Sequence, residues 1–384
     1  MLQRQIERWQ RTYFFNVVYA KIQSDLQRTP VLLTEPGLLS LNNHTLITID
    51  EDKVYYASHA ENSRPVNLID DQLFNGGKIK LGFCIPTMSM GGVTRSLLTM
   101  MNALDQHYFE WSGIAIRNGY AFDPETARLI LEHCPIYSSI DHPQFQGLVT
   151  IVGNASQMIV DQSDIVNLWG YTAPVKELNH TDWKRKPMLI VAHGQNEWTR
   201  DNIQTSLGYA EESLLVSVSQ GGIQTFPEHL RERVAVIYNG VDLNHCKPYL
   251  SRDEIRKSWG ISSETIAVGY IGRFARGKNV FAAAQAVFAS GKNHHAIYIG
   301  EGIDQNHVIN GVKELCGHRY SFMPRTEDIG SVLSGLDCLI SASPSEGGPL
   351  SVAEAWIAGC PVVSTPVGFI PELEAKYGPL VERL

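Results

Sequence analysis

The stretch IAVGYIGRFARGKN, residues 266–279, decides how the chain folds. Its first half, Ile266–Ile271, is a short apolar run of the kind that forms a strand buried on both faces. Its second half has the letters of a phosphate-binding P-loop: Gly272, a four-residue gap, Gly277 and Lys278. The next position in a P-loop is Ser or Thr, whose hydroxyl ligates Mg²⁺, and here it is Asn279. The segment therefore reads as a buried strand running into a basic loop that suits an anion, not a metal-bound triphosphate.

The same strand-and-loop pattern recurs along most of the chain. Towards the N-terminus lie KIKLGFCIP (78–86), WSGIAIR (111–117), DIVNLWG (164–170), PMLIVAH (187–193), LLVSVSQ (214–220) and VAVIYNG (234–240). Towards the C-terminus lie HAIYIG (295–300), RYSFMP (319–324), DCLISAS (337–343) and PVVSTP (361–366). One such run is ambiguous, but a long series separated by helical segments predicts an α/β fold with parallel strands and crossover helices. A turn-rich seam at Asn239–Tyr249 divides the series. The expected domains are an N-terminal extension (1–76), a first Rossmann-like domain (77–240) and a second one (241–384), the two facing a cleft where ligands meet the carboxyl ends of the strands.

Composition narrows the function. With 384 residues, 43% hydrophobic and 19% charged, the chain has ample material for two globular cores. A formal charge of −8 argues against general nucleic-acid binding. Cys84, Cys134, Cys246, Cys316, Cys338 and Cys360 form no metal-spaced cluster and read as reduced core thiols of a cytoplasmic protein. No apolar run reaches membrane-span length, no signal peptide is evident, and the sequons at Asn43, Asn154 and Asn179 are read as chance.

The extension has a different texture, α+β rather than α/β. Leu2, Ile6, Trp9 and Tyr13 recur at helical spacing with Arg4, Arg8 and Arg11 on other faces. Such a basic amphipathic helix could lie peripherally on a membrane surface, although packing on the first domain is the preferred reading. TLITIDEDKVYYAS (45–58) predicts a hairpin, so the metal-binding look of Asp50-Glu51-Asp52 is assigned to its turn.

Three loops carry the chemistry. After KIKLGFCIP, Gly91 and Gly92 precede a helix starting about Val93, with Arg95 in its first turn, where open backbone amides favour an anion or a sugar. After DCLISAS come Glu346, Gly347 and Gly348, then a helix with Pro349 at its first position, Glu354 in its second turn and Gly359 just past its end. Glu354 is placed to accept a ribose hydroxyl, and Glu346 a sugar hydroxyl nearer the loop. In the opening loop, Arg273 and Lys278 can converge on a diphosphate and neutralise the charge that grows as its bond to a sugar breaks. No G-x-G-x-x-G follows KIKLGFC, which disfavours a dinucleotide enzyme, and His59 lacks the cysteines of a deaminase zinc site.

Arg273 and Lys278, then IGEG (299–302), Glu346 and Glu354 within SEGGPLSVAEA, and GCPVV (359–363) together resemble the C-terminal domain of the retaining glycosyltransferases of family 4, which have the GT-B fold. YNGVD (238–242) is similar to that family's hinge, Gly91-Gly92-x-x-Arg95 to its N-terminal glycine loop, and His193-Gly194 to its active-site histidine at a strand end. The match covers about residues 78–372. The resemblance implies a donor nucleoside-diphosphate sugar, UDP- or GDP-linked, held without metal or other cofactor. Arg273, Lys278 and the amides of Gly348 to Leu350 would grip the diphosphate, with Gly347 in the same loop. Glu354 would hold the ribose, Glu346 the transferred sugar, and backbone near Pro324 and Arg325 the base. His193 would contact the sugar, with Arg95 and Gly194 towards an acceptor of unspecified identity. The activity implied is retaining transfer to a hydroxyl. A GT-B sugar-nucleotide epimerase and a catalytically silent nucleotide-sugar-binding module are the alternatives. The short segment after Glu354 departs from the family and is read as a truncated C-terminal domain.

Overall fold

The computed structural model describes five strands between residues 31 and 66 and then, apart from isolated positions, residues 78–169, 188–205 and 213–383. Contacts divide these residues into two compact units, one ending at Gly240 and the other running over Val241–Leu384.

The first unit begins with an antiparallel meander: β1 (Val31–Glu35), β2 (Leu38–Leu41), β3 (Thr45–Asp50), β4 (Lys53–Ser58) and β5 (Arg64–Val66), in that order. β3 and β4 pair antiparallel with Asp50 opposite Lys53, so the hairpin expected over 45–58 is present. The hairpin belongs to a sheet of five strands, more than the alternating pattern of 45–58 alone disclosed. The amphipathic helix expected near the N-terminus lies outside the described residues.

An eight-stranded sheet follows. It contains β6 (Ile79–Ile85), β7 (Phe109–Ile116), β8 (Ile136–Ser138), β9 (Thr150–Ile151), β10 (Ile165–Trp169), β11 (Met188–Ala192), β12 (Leu214–Ser217) and β13 (Val234–Val236). Their order is β13-β12-β11-β10-β6-β7-β8-β9, parallel throughout, so the winding reverses between β6 and β10. Helices α1 (Gly92–Ala103), α2 (Pro124–Leu131), α3 (Ala155–Gln162) and α4 (Glu197–Thr205) cross between strands. Leu97, Leu98 and Met101 of α1 pack into one core, and Ile159 and Val160 of α3 into another, so both faces of the sheet are covered and its strands are apolar on both sides. Asn154 caps α3, its Oδ1 accepting from Gln157 N at 3.0 Å, which gives one sequon a structural use.

The second unit has β14 (Ile266–Ile271), β15 (His294–Ile299), β16 (Tyr320–Met323), β17 (Cys338–Ser341), β18 (Val362–Ser364) and β19 (Glu382–Arg383). Their order, β16-β15-β14-β17-β18-β19, again parallel, is the 3-2-1-4-5-6 winding of a nucleotide-binding sheet, with its switch point between β14 and β17. Helices α5 (Arg252–Ser258), α6 (Ala282–Ser290), α7 (Gln305–Cys316), α8 (Ile329–Gly335), α9 (Leu350–Ala358) and α10 (Ile370–Tyr377) complete it. Ser251 and Glu254 start α5 with a reciprocal capping box.

Every apolar run singled out in the sequence is a strand. Among the parallel strands, the ones it missed, β8, β9 and β19, are two or three residues long, too short for a periodic signal. The six cysteines form no disulfide, and all but Cys338 are buried.

Candidate active site

In each doubly wound sheet the loops singled out in the sequence lie at the carboxyl ends of the strands beside the switch point. In the second unit β14 delivers Gly272, whose φ of 155° suits a residue without a side chain. A Cβ on Gly300 would stand 2.1 Å from the carbonyl oxygen of Gly272, and one on Gly302 2.2 Å from that of Phe274. The glycines of IGEG are thus what let the loop after β15 lie against the basic loop. Phe274 N donates to Glu301 O (2.8 Å), and the Phe274 ring is buried among Tyr270, Tyr298 and Phe322. Residues Arg276–Lys278 make one 3-10 turn, ended by Asn279 at φ 47° and ψ 51°. This left-handed conformation explains Asn where a P-loop has Ser or Thr: Asn adopts it readily, and a β-branched residue does not.

The turn aims Lys278 across the switch point. Its Nζ lies 2.5 Å from Oε1 of Glu346, which follows β17. Both side chains are largely withdrawn from water, at 29% and 18% exposure. The sequence reading assigned these two residues to different parts of a ligand, and the structure joins them. Arg273 stays exposed. Beneath the loop the Tyr270 hydroxyl donates to Arg273 O (2.9 Å). Burial, then the Glu346 charge, push the Tyr270 phenol well above its ordinary range, with Arg273 acting in the opposite direction. Tyr270 was not singled out in the sequence. Its signal was the inward register of a polar-tipped residue one position before the strand end.

The glycine loop after β17 is held from behind. Gly368, at φ 59°, leaves room for Pro349 and Gly347: an added Cβ would stand 2.7 Å from Pro349 Cδ and 2.9 Å from Gly347 O. Pro349 is the cap of α9 rather than its first residue, a correction of one position, and its carbonyl accepts from Val352 N (3.0 Å) and Ala353 N (3.3 Å). The orphan amides of this helix start at Leu350, close to Gly348. Glu354 points inward from the second turn, 9% exposed. Gly359 ends the helix in a left-handed conformation, as the spacing required. Pro324 and Arg325 follow β16, two strands from β14, and Arg325 pairs with Glu327 (3.2 Å).

In the first unit the loop after β6 ends at Gly91, the cap of α1, which starts at Gly92, one residue before the expected Val93. Thr94 Oγ1 donates back to Ser89 O (2.5 Å) and Gly91 O (3.1 Å), fastening the loop to the helix. Arg95 is half-buried in the first turn. His193 directly follows β11, with Gly194 after it. Both ring nitrogens of His193 are buried with no hydrogen-bond partner among the described residues. Burial lowers its pKa to about 3, so the ring is neutral at physiological pH. The ring packs on Trp169, the last residue of β10, at 4.5 Å between centroids. Trp169 in turn donates from Nε1 to Val93 O (2.9 Å), so His193 and the glycine loop are joined through a residue the sequence reading passed over. No group of three or more His, Cys, Asp or Glu side chains suited to a metal occurs among the described residues. No described helix is long and apolar enough to cross a membrane.

Two Rossmann-like α/β units with these windings define the GT-B class of fold. HepE of Anabaena, solved with UDP, superposes with a TM-score of 0.61 at 20% identity, over 77% of this chain and 83% of that one. Residues 265–383 match the family model described as Glycosyl transferases group 1. The O-antigen biosynthesis glycosyltransferase WclY of Escherichia coli is 31% identical over 141 residues, 36% of this chain and 39% of that protein. The putative teichuronic acid biosynthesis glycosyltransferase TuaC of Bacillus subtilis is 27% identical over 127 residues, 33% and 31% of the two chains. The matched region therefore spans less than half the length of these curated relatives.

Proposed function

We propose that the protein is a retaining glycosyltransferase of family 4 that moves a sugar from a nucleoside-diphosphate sugar to a hydroxyl acceptor without a metal ion. The observation that carries this reading is the Lys278–Glu346 pair at 2.5 Å, placed at the β14/β17 switch point of a nucleotide-binding sheet. An ammonium has three donors, so Lys278 can keep Glu346 and still donate to a diphosphate. Arg273 and the orphan amides at the start of α9 would share the phosphate charge that develops as the sugar departs. Glu346 would bind the transferred sugar, Glu354 the ribose, and the backbone at Pro324 and Arg325 the base. The neutral His193 would bond a hydroxyl of the donor sugar. Gly91 and Gly92 would lie on the donor side, and Arg95 and Gly194 on the acceptor side.

A glycosidase-like mechanism needs two carboxylates flanking one bond. With Glu346 and Glu354 given to sugar and ribose, retention is assigned to attack on the face from which the phosphate leaves, the leaving phosphate taking the acceptor proton. UDP is the first nucleotide to test, because HepE was solved with UDP and with UDP-glucose. The names of WclY and TuaC favour a growing surface polysaccharide as the acceptor.

A thermal-shift panel of UDP, GDP, ADP and their sugar conjugates tests the donor. A nucleotide at a hundred times its Kd stabilises the fold by about 2.7 kcal/mol. Acceptor-dependent release of UDP, undiminished by EDTA, tests transfer. Release without acceptor would favour the epimerase, and a strict metal requirement would overturn the mechanism.

A further inference from the structure

The carboxyl end of β10 carries a side chain that has no place in any motif. Trp169 is fully buried (0% exposed) at the switch point of the first unit. Its indole N–H reaches across to Val93 O (2.9 Å) in the first turn of α1, a carbonyl that also accepts from Ser96 Oγ (3.0 Å). Its ring meets His193 at 4.5 Å between centroids and a 46° tilt. A near-perpendicular contact with Phe83 of β6 (5.8 Å, 74°) holds it from another side. A tryptophan has two side-chain torsions, and contacts to three elements leave it one orientation.

We propose that Trp169 is a positioning residue: it fixes the plane of the His193 imidazole relative to the α1 N-terminus, so that both ring nitrogens are kept for a ligand hydroxyl. The ligand's identity as a donor sugar rests on the glycosyltransferase reading; the positioning does not. Buried polar atoms in proteins are nearly always bonded, and His193 has two that are not among the described residues. Orienting a histidine through a hydrogen bond uses up one nitrogen and selects the tautomer. Orienting it by a flat apolar surface leaves one donor and one acceptor, which is what a sugar hydroxyl, itself both, can use. Burial is the cause of the low His193 pKa, and no charged side chain among the described residues, on β10, β12 or α1, contributes to it.

The experiment compares the full chain with Trp169→Phe, which keeps a ring but loses the N–H, and Trp169→Ala, which removes both. ¹⁵N-histidine NMR follows His193, assigned by its loss in His193→Gln. In the wild type the resonance should not titrate between about pH 5 and pH 8. In Trp169→Ala, water reaches the ring and a titration should appear near its ordinary value of about 6.5. Trp169→Phe should lower kcat for UDP-sugar turnover about ten- to a hundredfold, the cost of a misoriented group, with KM little changed. If Trp169→Ala does not fold, the Phe variant decides through its kcat and through a shifted His193 resonance. A lower Tm with unchanged kcat per folded molecule and an unchanged His193 resonance would overturn the proposal. If the wild type turns over no nucleotide sugar, the functional reading fails, and the His193 titration still decides the role of Trp169.

Discussion

At the residue scale, the Lys278–Glu346 pair and Asn279 give the sharpest expectations. Replacing Arg273 and Lys278 together with Ala should cut kcat/KM at least about a hundredfold, because both cations are assigned to charge that appears in the transition state. The Tm should fall little, since Arg273 is exposed and the Lys278–Glu346 pair keeps some solvent contact (29% and 18%), which limits its contribution to about 1 kcal/mol. A global unfolding of this variant would show that the pair is structural. Glu346→Gln removes a carboxylate 2.5 Å from the ammonium. UDP should then bind a few-fold more tightly while sugar transfer falls about tenfold or more, a split measurable by calorimetry and steady-state kinetics. Weaker UDP binding would mean that Glu346 orients Lys278 rather than competing for it. Asn279→Gly should be near neutral in a denaturation experiment. Asn279→Thr should lose about 1–2 kcal/mol, because a β-branched residue at φ 47° is strained. The letters of 272–279 made Asn279 look like a defect in a metal site, whereas its backbone conformation shows a turn residue. A φ angle is set by how the chain closes on itself, and a motif does not report it.

At the element scale, the amino ends of β14 and β17 are clamped by charges far from the loops that carry the chemistry. Arg256 of α5, 2% exposed, donates to Gly335 O (2.9 Å), Ser262 O (3.0 Å), Thr265 O and Asp337 Oδ2 (3.2 Å). Arg252 adds Asp337 Oδ1 (2.5 Å) and the carbonyls of Ser334 and Leu336. Asp337 Oδ2 also accepts from Ala267 N (2.7 Å), the second residue of β14. Burial by itself raises the Asp337 pKa, but the bonds from Ala267, Arg256 and Arg252 together outweigh it and hold the carboxyl below its usual value. A depressed carboxyl contributes stability above its unfolded pKa of 3.8, and that stability is lost as pH falls through the folded value. Asp337→Asn should therefore cost about 1–3 kcal/mol at pH 7, tempered by the one-third exposure of the side chain (33%). The gap to the wild type in urea melts should be constant above about pH 5 and close below about pH 3.8. A gap that persists in acid would mean that the carboxylate charge is not what holds the clamp. None of this was legible in the sequence: Arg252, Arg256 and Asp337 are ordinary surface residue types whose partners lie about eighty positions away.

At the scale of the whole molecule, the described residues make two sheets of the same doubly wound kind and one antiparallel meander. The segment linking the units is fastened to the second of them, because Ser331 Oγ of α8 accepts from both Tyr249 N (2.9 Å) and Leu250 N (2.7 Å). A Cβ on Gly330 would stand 2.4 Å from the Lys247 carbonyl group, so that contact also requires glycine. If the donor belongs mainly to the second unit, hydrogen exchange of the full chain with saturating UDP should slow amides at 272–279 and 344–354 more than those at 88–96. Protection confined to the first unit would move the nucleotide site.

The parallel strands were legible because burial on both faces writes an unbroken apolar run into the sequence, a local signature of a global arrangement. The glycine and proline punctuation of the site loops was legible for a similar reason, since those residues answer to backbone geometry. Short strands such as β8 and β19, and the meander around the 45–58 hairpin, carry too few residues for periodicity to declare them. Pairings across the sheet were decided by tertiary structure alone. Lys278 with Glu346, Trp169 with Val93 and His193, and Arg256 with Asp337 depend on which strands become neighbours at a switch point, and strand order is a property of the folded chain. The sequence by itself determined which residues end the strands. Only the tertiary structure decided which of those ends meet, because contact between distant residues is set by topology rather than by composition or spacing.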